Sequence, residues 1–270
     1  MCLDIHCKDG RPPCASPGFS TSSGWFLLAN TEVPTSKQFA ELQKMIGGGD
    51  SGDALDALKH PDEWQAVKDP AVVQFFTLPD GVEKQAVVDA FLKTTQVKVQ
   101  SVERIQNVAL WQSFAVKRET ILAREGIAAD DEAGKARLIK RCLWHGTDEA
   151  TVNKIAQQGF NRIFNGKNAT MYGKGTYFAR DASYSVGTTY SRPDDKGIQH
   201  MFACRVTIGE YCKGVKDAPV PDARQGYQLY DTTVNDMANP SIFVAYHDAQ
   251  ACKSGNSSPP GFPPARMPPH

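Results

Sequence analysis

Residues 143–190 bring together side-chain types that suit one kind of ligand. His145 follows an apolar run, and we place it in a tight strand-to-helix turn, where its imidazole can hydrogen-bond a ribose hydroxyl. Gly146 has no side chain, so the backbone beside His145 can approach a planar amide closely. Tyr177 and Tyr190 can hold an aromatic ring between them by offset stacking. These residue types predict a pocket in which NAD+ is bound and cleaved.

Three short motifs extend this prediction to a family. They are His-Gly-Thr at 145–147, Tyr-Gly-Lys-Gly-Thr-Tyr-Phe-Ala at 172–179 and Pro-Ser-Ile-Phe-Val at 240–244. In order and spacing they resemble the catalytic domain of the poly(ADP-ribose) polymerase (PARP) superfamily, and within it the mono-ADP-ribosyltransferase branch. The resemblance covers about residues 97–251. It implies an α+β fold, the ADP-ribosyltransferase fold, in which two mostly antiparallel sheets form an NAD-binding cleft with flanking helices.

The resemblance also implies how the first motif binds NAD+. His145 matches the family's histidine that holds the adenosine ribose, and Thr147 lies beside it. Gly146 would pair its backbone N–H and C=O with the nicotinamide carboxamide, and Ser185 would give that amide a third contact. Taken alone, His145 could simply satisfy a turn and Gly146 could serve turn geometry. The two later motifs favour the binding role.

The remaining site residues determine what is done with NAD+. Tyr177 matches the second residue of the family's catalytic triad and Tyr190 its stacking tyrosine, although Tyr177 also suits a core strand. Ile242 stands where polymer-forming members carry a glutamate that binds the ribose and orients an incoming ADP-ribose hydroxyl. Isoleucine can do neither, although it is also a good strand residue. The resemblance therefore implies transfer of one ADP-ribose unit to a protein acceptor, the chain itself included, with no metal.

Bulk composition limits the other classes of function. Lys plus Arg and Asp plus Glu number 30 each, so the formal net charge is zero and nothing favours nucleic acid or an acidic membrane as partner. No apolar run approaches the length of a membrane span, and no signal peptide is apparent. The spacing of the seven cysteines does not match that of a disulfide framework. This usage predicts a reducing compartment, the nucleus or the cytoplasm.

Composition divides the chain into four predicted parts. We expect a disordered leader at 1–24, a helical N-terminal segment at 25–95, the catalytic domain at 96–251 and a Pro/Ser/Gly-rich disordered tail at 252–270. The leader carries three cysteines and a histidine, but their spacing fits no zinc pattern. The helical segment could bind a partner or simply pack on the catalytic domain, and we favour the packing role.

The chain departs from the family after Ala251, where a last apolar strand is expected and the sequence turns polar. A missing strand would expose the edge of the sheet. This departure keeps open a second hypothesis, that the chain is a catalytically inactive binding or scaffolding module. A third hypothesis, NAD+ hydrolysis, differs only in using water as the acceptor.

Overall fold

The computed structural model describes residues 58–66, 69, 72–162 and 170–253 of the 270-residue chain. Several predictions fall outside these residues. They are the leader at 1–24, the part of the helical N-terminal segment at 25–57 and the tail from 254 onward. The described residues all belong to one compact unit.

The longest helix of the described part, α2 (Val108–Arg124), lies beside the central sheet. Its first turn is capped by Asn107, whose side-chain oxygen accepts the N–H of Leu110 at 3.1 Å. The helices are α1 (Val82–Leu92), α2 (Val108–Arg124), α3 (Glu132–Leu138), α4 (Glu149–Gln158) and α5 (Ala182–Ser185). Among the described residues, none of these helices is both long and apolar enough to cross a bilayer.

Seven strands form the central sheet, in the order β11-β5-β3-β4-β10-β9-β6. Every neighbouring pair is antiparallel except β6 and β9, which run parallel. Two further pairs, β1–β2 and β7–β8, form small sheets of their own. The strands are β1 (Gln74–Thr77), β2 (Glu103–Gln106), β3 (Ile139–Thr147), β4 (Thr176–Ala179), β5 (His200–Thr207), β6 (Tyr211–Lys213), β7 (Ala223–Gln225), β8 (Gln228–Leu229), β9 (Thr232–Val234), β10 (Ile242–Ala245) and β11 (Ala251–Lys253).

The central sheet opens between β3 and β4. These strands are joined by a single residue pair, Trp144 with Ala179, whereas β3 and β5 pair from Ile139 to Thr147. The sheet therefore consists of two mostly antiparallel halves, β11-β5-β3 and β4-β10-β9-β6, that diverge from one contact. The α+β class is confirmed, and the two sheets of the prediction correspond to these halves.

Most of the apolar core lies along β5. Phe202, Cys204 and Val206 are buried, as their alternation in the sequence predicts, and Ile208 just beyond the strand is also buried. They pack with Phe178 and other apolar side chains of β3, β4 and β10. The core thus lies directly behind the point where the two halves separate.

The prediction for residues 25–95 needs a correction, because part of this segment is a strand. Gln74–Thr77 forms β1 and pairs antiparallel with β2. In the same segment Phe91 of α1 lies edge-on to Trp144 of β3, with ring centroids 5.6 Å apart. The predicted boundary at 95/96 therefore falls inside a packed region, because β1 and α1 contact strands on its far side.

The chain after Ala251 also differs from the prediction. Instead of leaving β5 unpaired, residues Ala251–Lys253 form β11 and pair with Val206, Arg205 and Cys204 of β5. Cys252 is buried against a cluster of tryptophan and phenylalanine rings, which holds this short strand on the sheet. The predicted tail therefore cannot begin at 252, and β11 covers the edge of the sheet that a missing strand was expected to expose.

Gln250 ties the end of the sheet together, although it is a buried polar residue that is only 1% exposed. Its amide oxygen accepts the N–H groups of Tyr246 at 3.1 Å and His247 at 2.8 Å. Its amide nitrogen donates to the carbonyls of Thr207 at 3.2 Å and Asp231 at 3.0 Å. A single side chain thus satisfies backbone groups from three parts of the sheet.

We expect Gln250→Ala to lower the free energy of unfolding by about 3 kcal/mol, because several buried backbone groups lose their partner at once. Urea unfolding followed by circular dichroism measures the change. Gln157→Ala is the matched control, since Gln157 is exposed on α4, and it should change stability by less than about 0.5 kcal/mol. Equal losses in the two variants would contradict this account.

Candidate functional site

A cleft of about 740 Å³ opens where β3 and β4 diverge. Its volume lies within the roughly 300–1,000 Å³ that is common for ligand pockets. All seven residues predicted from the sequence line it, together with side chains from α4 and from the chain around Met171 and Tyr172. The seven are His145, Gly146, Thr147, Tyr177, Ser185, Tyr190 and Ile242.

His145 lies within a strand, not in the turn that the sequence suggested. His145, Gly146 and Thr147 form the last residues of β3 and pair with Phe202, Met201 and His200 of β5. The turn comes later, because α4 begins only at Glu149. The pairing fixes the backbone of the whole His-Gly-Thr motif at the edge of the cleft.

The imidazole of His145 is oriented by one hydrogen bond and two rings. Nδ1 lies 2.8 Å from the carbonyl oxygen of Tyr177, and since a carbonyl can only accept, Nδ1 carries the proton. The rings of Phe160 and Phe178 lie 5.1 and 5.7 Å from the imidazole, centroid to centroid. Nε2 is therefore left as a hydrogen-bond acceptor in a cleft wall of aromatic side chains.

Burial lowers the pKa of His145 from its usual 6.5, and the hydrogen bond to Tyr177 opposes this shift only in part. The folded protein therefore keeps the imidazole neutral to lower pH than the unfolded chain does. We expect NMR titration of the ¹⁵N-labelled imidazole, assigned by the signal missing in His145→Ala, to give a midpoint below 6.5. A midpoint above that value would contradict the described burial.

Gly146 is required by packing as well as by ligand access. A Cβ at this position would overlap the carbonyl oxygen of Ser185 and would lie 3.2 Å from Tyr190. Ser185 is buried, and its hydroxyl donates to the carbonyl of Trp144 at 3.2 Å. The absence of a side chain therefore lets β3 approach the end of α5 and the segment that follows it.

The hydroxyl of Tyr177 is held by a turn of the backbone. It accepts the N–H of Tyr172 at 2.9 Å and donates to the carbonyl of Gly173 at 2.9 Å. Burial raises the pKa of Tyr177 to about 12, so the group stays a neutral phenol. The ring is half-buried and lines the cleft, so this tyrosine belongs both to the packed wall and to the site.

Tyr190 is stacked on a second tyrosine, Tyr184, which no sequence motif places at the site. The rings of Tyr184 and Tyr190 are 4.9 Å apart and 24° from parallel, and their hydroxyl oxygens lie 2.7 Å apart. Burial raises the pKa of Tyr184, so its hydroxyl stays a neutral phenol. Both tyrosines line the cleft, and Tyr184 supports the ring of Tyr190 from one side.

Ile242 closes the cleft with an apolar surface. It is 4% exposed and packs with Ala179, Val244 and Tyr246. Its backbone N–H donates to the side-chain oxygen of Asn235 at 2.8 Å, and this hydrogen bond fixes the start of β10. At this position the cleft therefore offers a hydrocarbon side chain and no carboxylate.

A group of possible cation ligands lies among the described residues, formed by Glu149, Asp194 and His200, with ligand atoms within 4.8 Å of one another. Asp194 already accepts the N–H groups of Lys196 and Ile198, each at 2.8 Å. Its carboxylate therefore serves the turn that it begins. The expectation that the chemistry needs no metal stays a prediction.

Comparison with known proteins agrees with this geometry. The family model described as poly(ADP-ribose) polymerase catalytic domain matches residues 83–250, which is more than half of the chain. The human protein mono-ADP-ribosyltransferase PARP14 is 37% identical over 195 residues, which cover 71% of this chain and 10% of that protein. Human PARP12, with the same descriptive name, is 36% identical over 70% of this chain and 26% of its own length.

A further relative, mouse mono-ADP-ribosyltransferase PARP11, is 28% identical over 90% of this chain and 80% of its own length. The chain thus spans only a tenth to about a quarter of PARP14 and PARP12, but most of PARP11. The region matched by the family model contains all seven residues that were predicted from the sequence and line the cleft. The chain belongs to the family of poly(ADP-ribose) polymerase catalytic domains.

Proposed function

We propose that this chain transfers a single ADP-ribose unit from NAD+ to a protein acceptor and releases nicotinamide. The observation that carries the proposal is the convergence of His145, Gly146, Tyr177, Ser185 and Tyr190 on one cleft. The names of the relatives, which are mono-ADP-ribosyltransferases, support the reaction type.

NAD+ binds with its nicotinamide ring between Tyr177 and Tyr190. The backbone of Gly146 pairs with the carboxamide, and the Ser185 hydroxyl gives a third contact. Nε2 of His145, which lies beside Thr147 in the motif, accepts a hydrogen bond from a hydroxyl of the adenosine ribose. The imidazole can accept there because its proton is on Nδ1. The cations Lys154 and Arg192, which also line the cleft, can offset the charge of the diphosphate.

The reaction breaks the bond between C1′ of the ribose and the nicotinamide nitrogen. The bonding electron pair leaves with nicotinamide, which becomes neutral, and positive charge develops on the ribose in an oxocarbenium-like state. The acceptor carboxylate then attacks C1′ with its own electron pair. Because nicotinamide is already a cationic leaving group, binding and orientation supply most of the catalysis.

The apolar surface of Ile242 supports a single transfer. Chain growth needs a group that orients the hydroxyl of an incoming ADP-ribose, and a buried isoleucine has no hydrogen-bonding atom in its side chain. Because Ile242 cannot activate the acceptor, the acceptor must carry a group that is already nucleophilic. This favours the carboxylate of a glutamate or aspartate of a protein, this chain included. The product is one ADP-ribose on each modified residue.

The compartment proposed for this reaction is the nucleus or the cytoplasm. In the described part of the chain, Cys142 and Cys212 form no disulfide. Burial raises the pKa of Cys142 to about 11, so this thiol is protonated and unreactive at neutral pH. A protonated thiol of this kind suits a reducing environment.

Parallel measurement of nicotinamide release and protein-bound ADP-ribose tests the proposal. The chain is incubated with NAD+ carrying a label in the adenosine, alone and with a mixture of acidic proteins. We expect equal molar amounts of free nicotinamide and protein-bound label. Nicotinamide without bound label would indicate hydrolysis, and neither product from folded protein would indicate a binding module; both results contradict the proposal.

A further inference from the structure

Thr233 of β9 lies on the same face of the sheet as Tyr177, two strands away. Val244 of β10 pairs with Tyr177 on one side and with Thr233 on the other. Residues directly opposite each other in antiparallel strands project from the same face. Thr233 is 2% exposed and is not among the residues that line the cleft, so any effect on the ligand must pass through other groups.

The group between them is the turn at Tyr172 and Gly173, which holds the hydroxyl of Tyr177 from both sides. The hydroxyl of Thr233 donates to the carbonyl of Tyr172 at 2.6 Å. The same peptide segment therefore bonds Thr233 through a carbonyl and Tyr177 through an N–H. Movement of the turn would move the Tyr177 ring at the cleft wall.

Tyr246 adds a second contact behind this turn. Its hydroxyl lies 3.2 Å from the hydroxyl of Thr233, to which it can donate, and 3.4 Å from the carbonyl of Tyr172. Gly173 has φ of +117°, and a Cβ there would overlap the Tyr246 hydroxyl. The polar groups form a continuous chain from Tyr246 through Thr233 and the turn to Tyr177, and such chains strengthen each member.

We propose that Thr233 is a positioning residue for NAD+ binding, which fixes Tyr177 through the carbonyl of Tyr172. This inference rests on the proposed function, because Tyr177 affects NAD+ only if its ring contacts the nicotinamide. Without the Thr233 hydroxyl, the Tyr172 carbonyl keeps only the longer bond from Tyr246. The ring would then no longer be held in one place before the ligand arrives.

The test compares Thr233→Val, which keeps the shape and loses the hydroxyl, with Thr233→Ser, which keeps the hydroxyl and loses a methyl group. We expect Thr233→Val to raise the KM for NAD+ about fivefold with kcat within about twofold, because a stacking contact acts on bound substrate and transition state alike. Thr233→Ser should keep the KM of the parent chain even where its thermal midpoint is lower. A purely structural role would lower the active fraction, and so kcat, in both variants.

Thr232→Val is the matched control. Thr232 is also fully buried and its hydroxyl also donates to a carbonyl at 2.6 Å, but that carbonyl belongs to Ile208, away from Tyr177. We expect this variant to lose stability and keep its KM. An unchanged KM in Thr233→Val, or an equal rise in Thr232→Val or Thr233→Ser, would overturn the proposal.

Two further measurements keep the outcome decisive. If Thr233→Val does not fold, Tyr246→Phe should raise the KM about twofold, and no rise would overturn the proposal. If the parent chain has no activity, the proposed function fails separately, and calorimetric affinity for NAD+ replaces KM. Thr233→Val should then weaken binding about fivefold, and equal affinity would overturn the positioning role.

Discussion

Replacing His145 with alanine is expected to lower kcat/KM for NAD+ by about a hundredfold. The substitution removes the acceptor nitrogen that the Tyr177 carbonyl orients, and it leaves that carbonyl without the imidazole N–H. It also opens space beside Phe160 and Phe178, whose rings pack on the imidazole. Initial rates of nicotinamide release at several NAD+ concentrations measure the loss.

His247→Ala controls for the removal of an imidazole. His247 lies outside the cleft lining, and burial lowers its pKa in the same direction as for His145. We expect its kcat/KM to stay within about twofold of the parent chain, after correction for any change in folded fraction. A His145→Ala variant that keeps more than about a third of the parent kcat/KM would show that this histidine does not hold the substrate.

Gly146→Ala is expected to raise the KM for NAD+ more than about tenfold and to lower stability by about 1–3 kcal/mol. The added methyl group meets the backbone carbonyl of Ser185, which cannot rotate away as a side chain could. β3 must then move away from Ser185 and Tyr190, which line the same part of the cleft. Steady-state kinetics and thermal unfolding measure the two effects.

Gly187→Ala is the matched control for this substitution. A Cβ at Gly187 would lie 3.5 Å from the carbonyl oxygen of Tyr184 and 3.9 Å from the ring of Tyr190, and both distances are ordinary contacts. This variant should change neither KM nor stability measurably. If Gly146→Ala behaves in the same way, the close approach of β3 to Ser185 does not matter to the site.

Five of the seven predicted residues could be found because they belong to three short motifs with distinct combinations of residue types, and the resemblance to the family extended the prediction to Ser185 and Tyr190. Tyr184 and Thr233 could not be predicted in this way. Tyr184 reaches Tyr190 across a turn, where neither helical nor strand periodicity applies. Thr233 acts on the carbonyl of Tyr172, 61 residues earlier in the chain, and a backbone group leaves no trace in a pattern of side chains.

The strands also divide into those that the sequence predicts and those that it does not. β5 could be predicted from the alternation of Phe202, Cys204 and Val206, since one face of that strand is buried. β1 and β11 have four and three described residues and are too short to show a period. β11 is held by burial of Cys252 against Trp64, Trp111 and Phe114, a contact that depends on the tertiary structure.

The most direct test of the central claim is the intact mass of the purified chain after incubation with NAD+, beside His145→Ala. The account predicts mass increments of single ADP-ribose units on separate residues, each sensitive to mild ester cleavage, and none in the variant. Peptide mapping should find no residue that carries two units. Long series of increments on one residue would contradict the role given to Ile242, and equal modification of His145→Ala would contradict the proposed site.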